Sequence, residues 1–208
     1  MAKNYVQLIP ASSLKETPWK NGGGSTKEIA IHPLKSSFEK SDFTWRLSTA
    51  EVKKPGDFSV FPDFERLLTI VKGEELILEF ADLRKTLKPG TVVKFHGEEE
   101  IACLLPQGPV TDLGLIFDPD QALTKMTLIE LQGKPRSFSL TAPTVFFFCM
   151  EGEASSAVFP GEIENTLNVG DTLRVNPREE ERIALFDPGG ARCVLVAVEI
   201  ADILVASN

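Results

Sequence analysis

The chain has 208 residues, 42% hydrophobic and 25% charged, which suits one large or two small domains with substantial cores. A net charge of −8 sets the overall field against nucleic acid and anionic membranes, and three scattered cysteines in apolar runs make neither a disulfide framework nor a zinc site. The longest apolar run, 145–150, is far too short to span a bilayer, and Met1-Ala2-Lys3-Asn4 lacks the apolar stretch of a signal peptide, so a cytoplasmic protein is expected.

The first informative segment is Thr17-Pro18-Trp19-Lys20-Asn21-Gly22-Gly23-Gly24-Ser25-Thr26-Lys27-Glu28. Three successive glycines free the backbone and let it approach a neighbour closely, which serves a binding loop better than a core strand. Gly24-Ser25-Thr26-Lys27 has the wrong order for a phosphate loop and leads into the strand-like Glu28-Ile29-Ala30-Ile31, which argues against nucleotide triphosphates. Trp19, Lys20 and Asn21 together offer a flat apolar wall, a positive charge and an amide, groups suited to a small carboxylate. The bland alternative is a turn in which Trp19 plugs a barrel end and Asn21 stabilises the turn.

Short runs of Val, Ile, Leu, Phe and Thr then recur between turn residues. They predict strands at 45–52, 66–71, 76–80, 92–95, 100–105 and 112–117, then at 125–130, 136–140, 145–150, 154–159, 171–175, 182–186 and 192–200. No long segment has helical periodicity, so the fold class is all-β. In the first of these strands, alternation puts Arg46 and Ser48 on one face and Trp45 and Leu47 on the other. Arg46 is either exposed or, inside a barrel mouth, a carboxylate partner. Arg66 and Asp112 form either a buried ion pair or charge for the same pocket. His96, in the turn after a strand, is the one histidine placed to act as a base. Thr26 and Glu28 share a face by alternation. His32, before Pro33, is expected at a surface turn. Cys103, Cys149 and Cys193 are expected as reduced core thiols; a catalytic cysteine beside His96 or His32 is the alternative. The acidic clusters 98–100 and 179–181 are expected as solvated turns.

An internal echo suggests duplication. Leu68-Thr69-Ile70-Val71-Lys72-Gly73-Glu74 and, 17 residues after Gly73, Gly90 in Leu87-Lys88-Pro89-Gly90-Thr91 are matched by Phe147-Phe148-Cys149-Met150-Glu151-Gly152-Glu153 and, 18 residues after Gly152, Gly170 in Leu167-Asn168-Val169-Gly170-Asp171. This frame resembles a cupin, and two copies a bicupin of two small jelly-roll β-barrels, divided at 1–118 and 119–208 with the crossing near Pro119-Asp120-Gln121-Ala122. Metal-binding cupins need a His-x-His pair and further ligands. Only His32 and His96 exist here, so neither a metal nor another cofactor is expected.

With these residues placed, the chain resembles the HutD/Ves family of bicupins. The matching residues are 17–30, Trp45-Arg46-Leu47-Ser48-Thr49-Ala50-Glu51-Val52, Asp57-Phe58-Ser59-Val60-Phe61-Pro62, Arg66-Leu67-Leu68-Thr69 and Gly108-Pro109-Val110-Thr111-Asp112-Leu113. The resemblance is specific over 5–117 and architectural beyond. It implies a modulator linked to bacterial histidine utilisation or to stress response, with no established reaction. It also shows departures, Gly114 standing where relatives carry Asn and Thr91 where the frame has Asp. The expectation is a metal-independent protein that binds a small anionic metabolite through Trp19, Lys20, Asn21, Thr26, Glu28, Arg46, Ser48, Arg66, His96 and Asp112, the second unit being mainly structural. The competing expectation is a metal-independent isomerase, lyase or hydrolase with His96 or Glu28 as base; a third is an interaction module. No nucleic-acid or membrane partner is expected, and a homodimer is left open.

Overall fold

Every strand expected from the apolar runs is present in the computed structural model, which describes residues 5–159, 163–177 and 182–203. In chain order the strands are β1 (Tyr5–Ile9), β2 (Glu16–Pro18), β3 (Gly24–His32), β4 (Trp45–Val52), β5 (Gly56–Asp57), β6 (Glu65–Lys72), β7 (Leu76–Glu79), β8 (Arg84–Leu87), β9 (Val92–His96) and β10 (Ala102–Leu104). They continue as β11 (Val110–Phe117), β12 (Ala122–Gln132), β13 (Arg136–Leu140), β14 (Thr144–Glu151), β15 (Glu153–Phe159), β16 (Ile163–Asn168), β17 (Thr172–Asn176), β18 (Arg182–Asp187) and β19 (Arg192–Asp202). The acidic cluster 179–181 lies outside the described residues.

The chain divides into two units, one of Leu14–Ala122 with Ile203–Asn208, the other of Met1–Ser13 with Leu123–Asp202, each over its described residues. In the first, the six-stranded sheet β2-β3-β4-β11-β6-β9 faces the four-stranded sheet β5-β10-β7-β8. Leu68, Ile70, Val93 and Phe95 of one sheet pack against Leu76, Leu78, Leu87, Ile101 and Cys103 of the other side. Burying these side chains supplies most of the driving force, at roughly 25 cal/mol per Å² of apolar surface. In the second unit the sheet β1-β17-β14-β19-β12 faces β13-β18-β15-β16 around a core that includes Phe147, Cys149, Leu173, Phe186 and Leu195.

The order β4-β11-β6-β9 matches β12-β19-β14-β17, β5-β10-β7-β8 matches β13-β18-β15-β16, and the turns match in detail. Gly73 and Gly152 both have positive φ, 96° and 76°, and a Cβ on either would press on a backbone oxygen, that of Pro109 at 2.8 Å or Arg192 at 2.4 Å. The amide of Gly90 donates to the Ile70 carbonyl at 3.1 Å, and that of Gly170 to the Cys149 carbonyl at 2.8 Å. The echo in the sequence is therefore a repeated structural unit.

The boundary differs from the sequence expectation of 1–118 and 119–208. Five rungs from Tyr5↔Asn176 to Ile9↔Thr172 attach β1 to β17, and the Ala11 amide donates to Asp171 Oδ1 at 2.9 Å. The N-terminal strand thus completes the second unit, because β17 would otherwise present an unpaired edge.

Cys103, Cys149 and Cys193 are free and buried, as expected, and burial pushes the Cys149 thiol up to about 12.

Candidate functional site

The pleat of β3, β4, β11, β6 and β9 decides which side chains meet. Register aligns Ile31, Arg46, Ile116, Arg66 and Phe95 in one row across the sheet. The next row is Glu28, Ser48, Gly114, Leu68 and Val93, and the one after it Thr26, Ala50, Asp112 and Ile70. Leu68, Ile70, Val93 and Phe95 belong to the first unit's core, so this is the inner face of the barrel. Arg46 and Ser48 therefore point inward.

Two bulges set this arrangement. One between Glu28 and Ala30 shifts β3 so that Glu28 lies opposite Ser48, beside Arg46. The other, between Thr111 and Asp112, lets Asp112 pair with Ile70 while Thr111 pairs with Lys72. A short polar residue is thereby aimed into the barrel.

Arg46 is 8% exposed; its Nε donates to Glu28 Oε2 at 2.8 Å, and its guanidinium carbon lies 4.3 Å from the centre of the Phe38 ring. Arg66 sits among three phenyl rings, with its guanidinium carbon 4.8 Å from Phe58, 5.1 Å from Phe95 and 5.6 Å from Phe61. Its Nη1 donates to the Ser59 carbonyl at 3.3 Å. Among the described residues no carboxylate comes within 4.0 Å of it. The alternative of a direct Arg66–Asp112 ion pair does not hold.

Asp112 is 5% exposed. Burial pushes its carboxyl up to about 7, against the opposing pull of Arg66 and the Ala50 amide. Burial likewise brings Arg66 down to about 10, with Asp112 opposing. The two residues feel each other's charge but do not touch. Between their rows lies Gly114, where an added Cβ would meet only Leu68 Cδ1 at 3.5 Å and Asp112 Oδ1 at 3.7 Å, both ordinary contacts.

The glycine loop plays a different part from the one its composition suggests. A Cβ on Gly24 would lie 2.1 Å from the Glu51 carbonyl oxygen and 3.0 Å from the Trp19 ring. The close approach is to Trp19, whose Nε1 donates to Thr26 Oγ1 at 2.8 Å. Asn21 is exposed and its Oδ1 accepts from the Gly23 amide at 2.9 Å, closing the turn. Lys20 is exposed on that turn. Trp19 and Thr26 thus belong to the rim of the inner face, whereas Asn21 has the structural part its alternative gave it. His96 falls on the opposite face, beside Glu65 in the row after Arg66 and Phe95, with 68% of its side chain exposed and Nδ1 3.6 Å from Glu65 Oε1. His32 is no open turn residue: its ring stacks on Trp45 at 5.4 Å.

Phe38, Phe58 and Phe61 wall the two guanidiniums and were not among the expected site residues, although Phe58 and Phe61 lie in the 57–62 stretch that carries part of the family resemblance. The glutamate and guanidinium groups left the available choices as anion binding or proton transfer, and the geometry sets two arginines in one row of the inner face. Charge marks this face, not volume; a hollow of about 250 Å³ lies in the other unit.

Fold and site together define a bicupin whose first barrel carries a buried arginine, Arg46, a half-buried one, Arg66, and a buried aspartate, Asp112, on one inner face. Over residues 11–193 the sequence matches the HutD family model. It is 31% identical over 179 residues, 85% of this chain and 90% of the other, to an uncharacterized 21.2 kDa protein of Pseudomonas putida described by its place in the hutC 3′ region. The chain belongs to the HutD family. Among solved structures, HutD from Pseudomonas fluorescens SBW25, in a formate condition, is 27% identical with a TM-score of 0.78, over 96% of this chain and 100% of that one. A conserved protein of unknown function from Pseudomonas aeruginosa PAO1 gives a TM-score of 0.85 at 24% identity, over 96% and 100% of the two chains. Vicilin from Capsicum annuum shares the fold, with a TM-score of 0.63 at 12% identity over 94% and 86%.

Proposed function

We propose that the first barrel binds a small carboxylate metabolite without a metal, and that the protein senses or modulates amino-acid catabolism of the histidine type. One observation carries the reading. Arg66 and Asp112 are held on one inner face without pairing, beside Arg46 and in the rows on either side of Gly114. A half-buried guanidinium and a buried carboxyl kept apart on one face are costly unless something bridges them. A ligand carboxylate met by the guanidiniums, with an N–H or O–H directed at Asp112, would satisfy both. The kinship with HutD and with a protein of the hutC region supports the link to histidine utilisation.

The sequence reading gave an enzyme His96 or Glu28 as its base. His96 is on the wrong face, and Glu28 is engaged by Arg46. Binding alone is the simpler reading. Thermal-shift titration with formate, urocanate, histidine and N-formylglutamate tests it. At least one should raise the melting temperature of the wild type, and Arg66→Gln should weaken that ligand about tenfold or more. No stabilisation by any of the four, or equal stabilisation of Arg66→Gln, sinks the reading.

A further inference from the structure

The second unit repeats the first unit's bulge at the same place. Between β11 and β6 the register passes from Thr111↔Lys72 to Asp112↔Ile70, leaving Val71 extra. Between β19 and β14 it passes from Val194↔Glu151 to Leu195↔Cys149, leaving Met150 extra. Aligning the bulges makes Leu195 the counterpart of Asp112, Ala197 of Gly114 and Glu199 of Ile116. Val145 then stands for Arg66 and Phe147 for Leu68, since Val145 pairs with Glu199 and Phe147 with Ala197 just as Arg66 pairs with Ile116 and Leu68 with Gly114.

These counterparts are not filled in. Val145, Phe147, Ala197 and Glu199 wall a half-open hollow of about 250 Å³, closed on the other side by Phe138. The small residue at the centre of the sheet is retained, as alanine in place of glycine. The buried charges are gone, exchanged for valine and leucine. Cations remain where the hollow opens. Lys125 is matched by Glu199 at 3.8 Å, whereas Arg136 lies with its guanidinium carbon 5.0 Å from the Phe138 ring and has no carboxylate within 4.0 Å among the described residues. The hollow therefore has mainly apolar walls, with Thr127, Ser139 and the matched Lys125 and Glu199 among them, and one unmatched positive charge.

We infer that this hollow is a second binding site, equivalent by duplication to the charged face of the first barrel, and that it takes an aromatic or branched apolar molecule bearing one carboxylate. An apolar cavity of about 150 Å³ holds a benzene ring, so this one has room for a ring with a short acidic arm. The ring goes against Val145, Phe147 and Ala197, and the carboxylate to Arg136. On this reading the second unit, expected from the sequence to be mainly structural, carries a site of its own that differs in polarity from the first.

Phenylacetate is the probe, titrated into the full chain and followed through the backbone amide resonances of Val145, Phe147 and Ala197. Saturable shifts in the millimolar range are expected. Arg136→Gln should weaken binding about tenfold, and benzyl alcohol, which lacks the charge, should bind weaker by a similar factor. Ala197→Leu should block it by filling the hollow; should that variant not fold, the exposed Arg136→Gln decides alone. Arg66→Gln should leave phenylacetate binding unchanged, which separates this site from the first barrel. Absence of saturating shifts, or equal affinity for wild type and Arg136→Gln, overturns the inference.

Discussion

Asp112 shows how a single side chain is shaped by where the chain folds it. An aspartate at the surface would hold its ordinary acidity; here burial lifts the carboxyl to about 7, so near neutral pH it is divided between two protonation states. The folded protein binds that proton more tightly than the unfolded chain, whose aspartate titrates near 3.8. A raised carboxyl stabilises the fold most below the unfolded value, and this contribution is lost as pH climbs through the folded value. The unfolding free energy from urea titrations should therefore fall between pH about 4 and about 7, by an amount on the order of a few kcal/mol, beyond whatever the other carboxylates contribute. In Asp112→Asn that component should disappear while the rest of the pH profile is kept. Parallel profiles for the two proteins would contradict the burial argument. The sequence brought Arg66 and Asp112 together, as an ion pair or as charge for one pocket, but did not choose between these, because the position of Asp112 depends on a bulge that leaves no mark in composition. Arg46 and Ser48 could be assigned to one face but not to the inner one, because Trp45 to Thr49 are buried on both faces and the usual polar-outward signal is missing.

At the scale of elements, β3 begins where the glycine run ends, and the two are coupled through Trp19. The sequence showed that something must approach the glycines closely without saying what. Gly24→Ala puts a methyl group into the Glu51 carbonyl and against the indole, and neither the β4 backbone nor a ring held by Thr26 can move aside cheaply. It should destabilise the protein by more than about 2 kcal/mol. Gly22→Ala meets nothing within 4 Å and carries only the strain of its φ of 65°, about 1 kcal/mol. Thermal denaturation of the two variants should rank them in that order; a reversed ranking would mean the loop's glycines are present for a ligand. Strand legibility follows a similar physical rule. The strands absent from the sequence expectation, β1, β2, β5, β8 and β16, are all sheet edges. Edge strands are short or polar, as Arg84-Lys85-Thr86-Leu87 and Ile163-Glu164-Asn165-Thr166 are, because a regular apolar edge invites aggregation. The apolar alternation that identifies a strand is strongest where a strand is paired on both sides.

For the molecule as a whole, duplication was legible because it is written in turn residues, whose positions are fixed by backbone conformation and not by what the barrels contain. The exchange of β1 was not legible: a strand such as Tyr5-Val6-Gln7-Leu8-Ile9 pairs with any free edge, and local sequence does not choose among them. In the fold that choice is β17, anchored further by Ala11 on the Asp171 carboxylate. Asp171 also accepts from the Asn168 amide at 3.0 Å, so one carboxylate ties the β16–β17 turn to the end of β1. The first unit has Thr91 at the matching place and needs no such tie, since no N-terminal strand joins its β9 edge. Deleting residues 1–13 should therefore act on one unit only. Hydrogen exchange should accelerate by at least about tenfold at the β17 amides that face β1, corresponding to more than about 1.4 kcal/mol of lost local stability, and spread to β14. The amides of β4 and β11 should keep their protection, and carboxylate binding at Arg66 should survive the truncation. Unchanged exchange in β17, or equal acceleration in β4 and β11, would show that the N-terminal strand does not belong to the second unit's cooperative core.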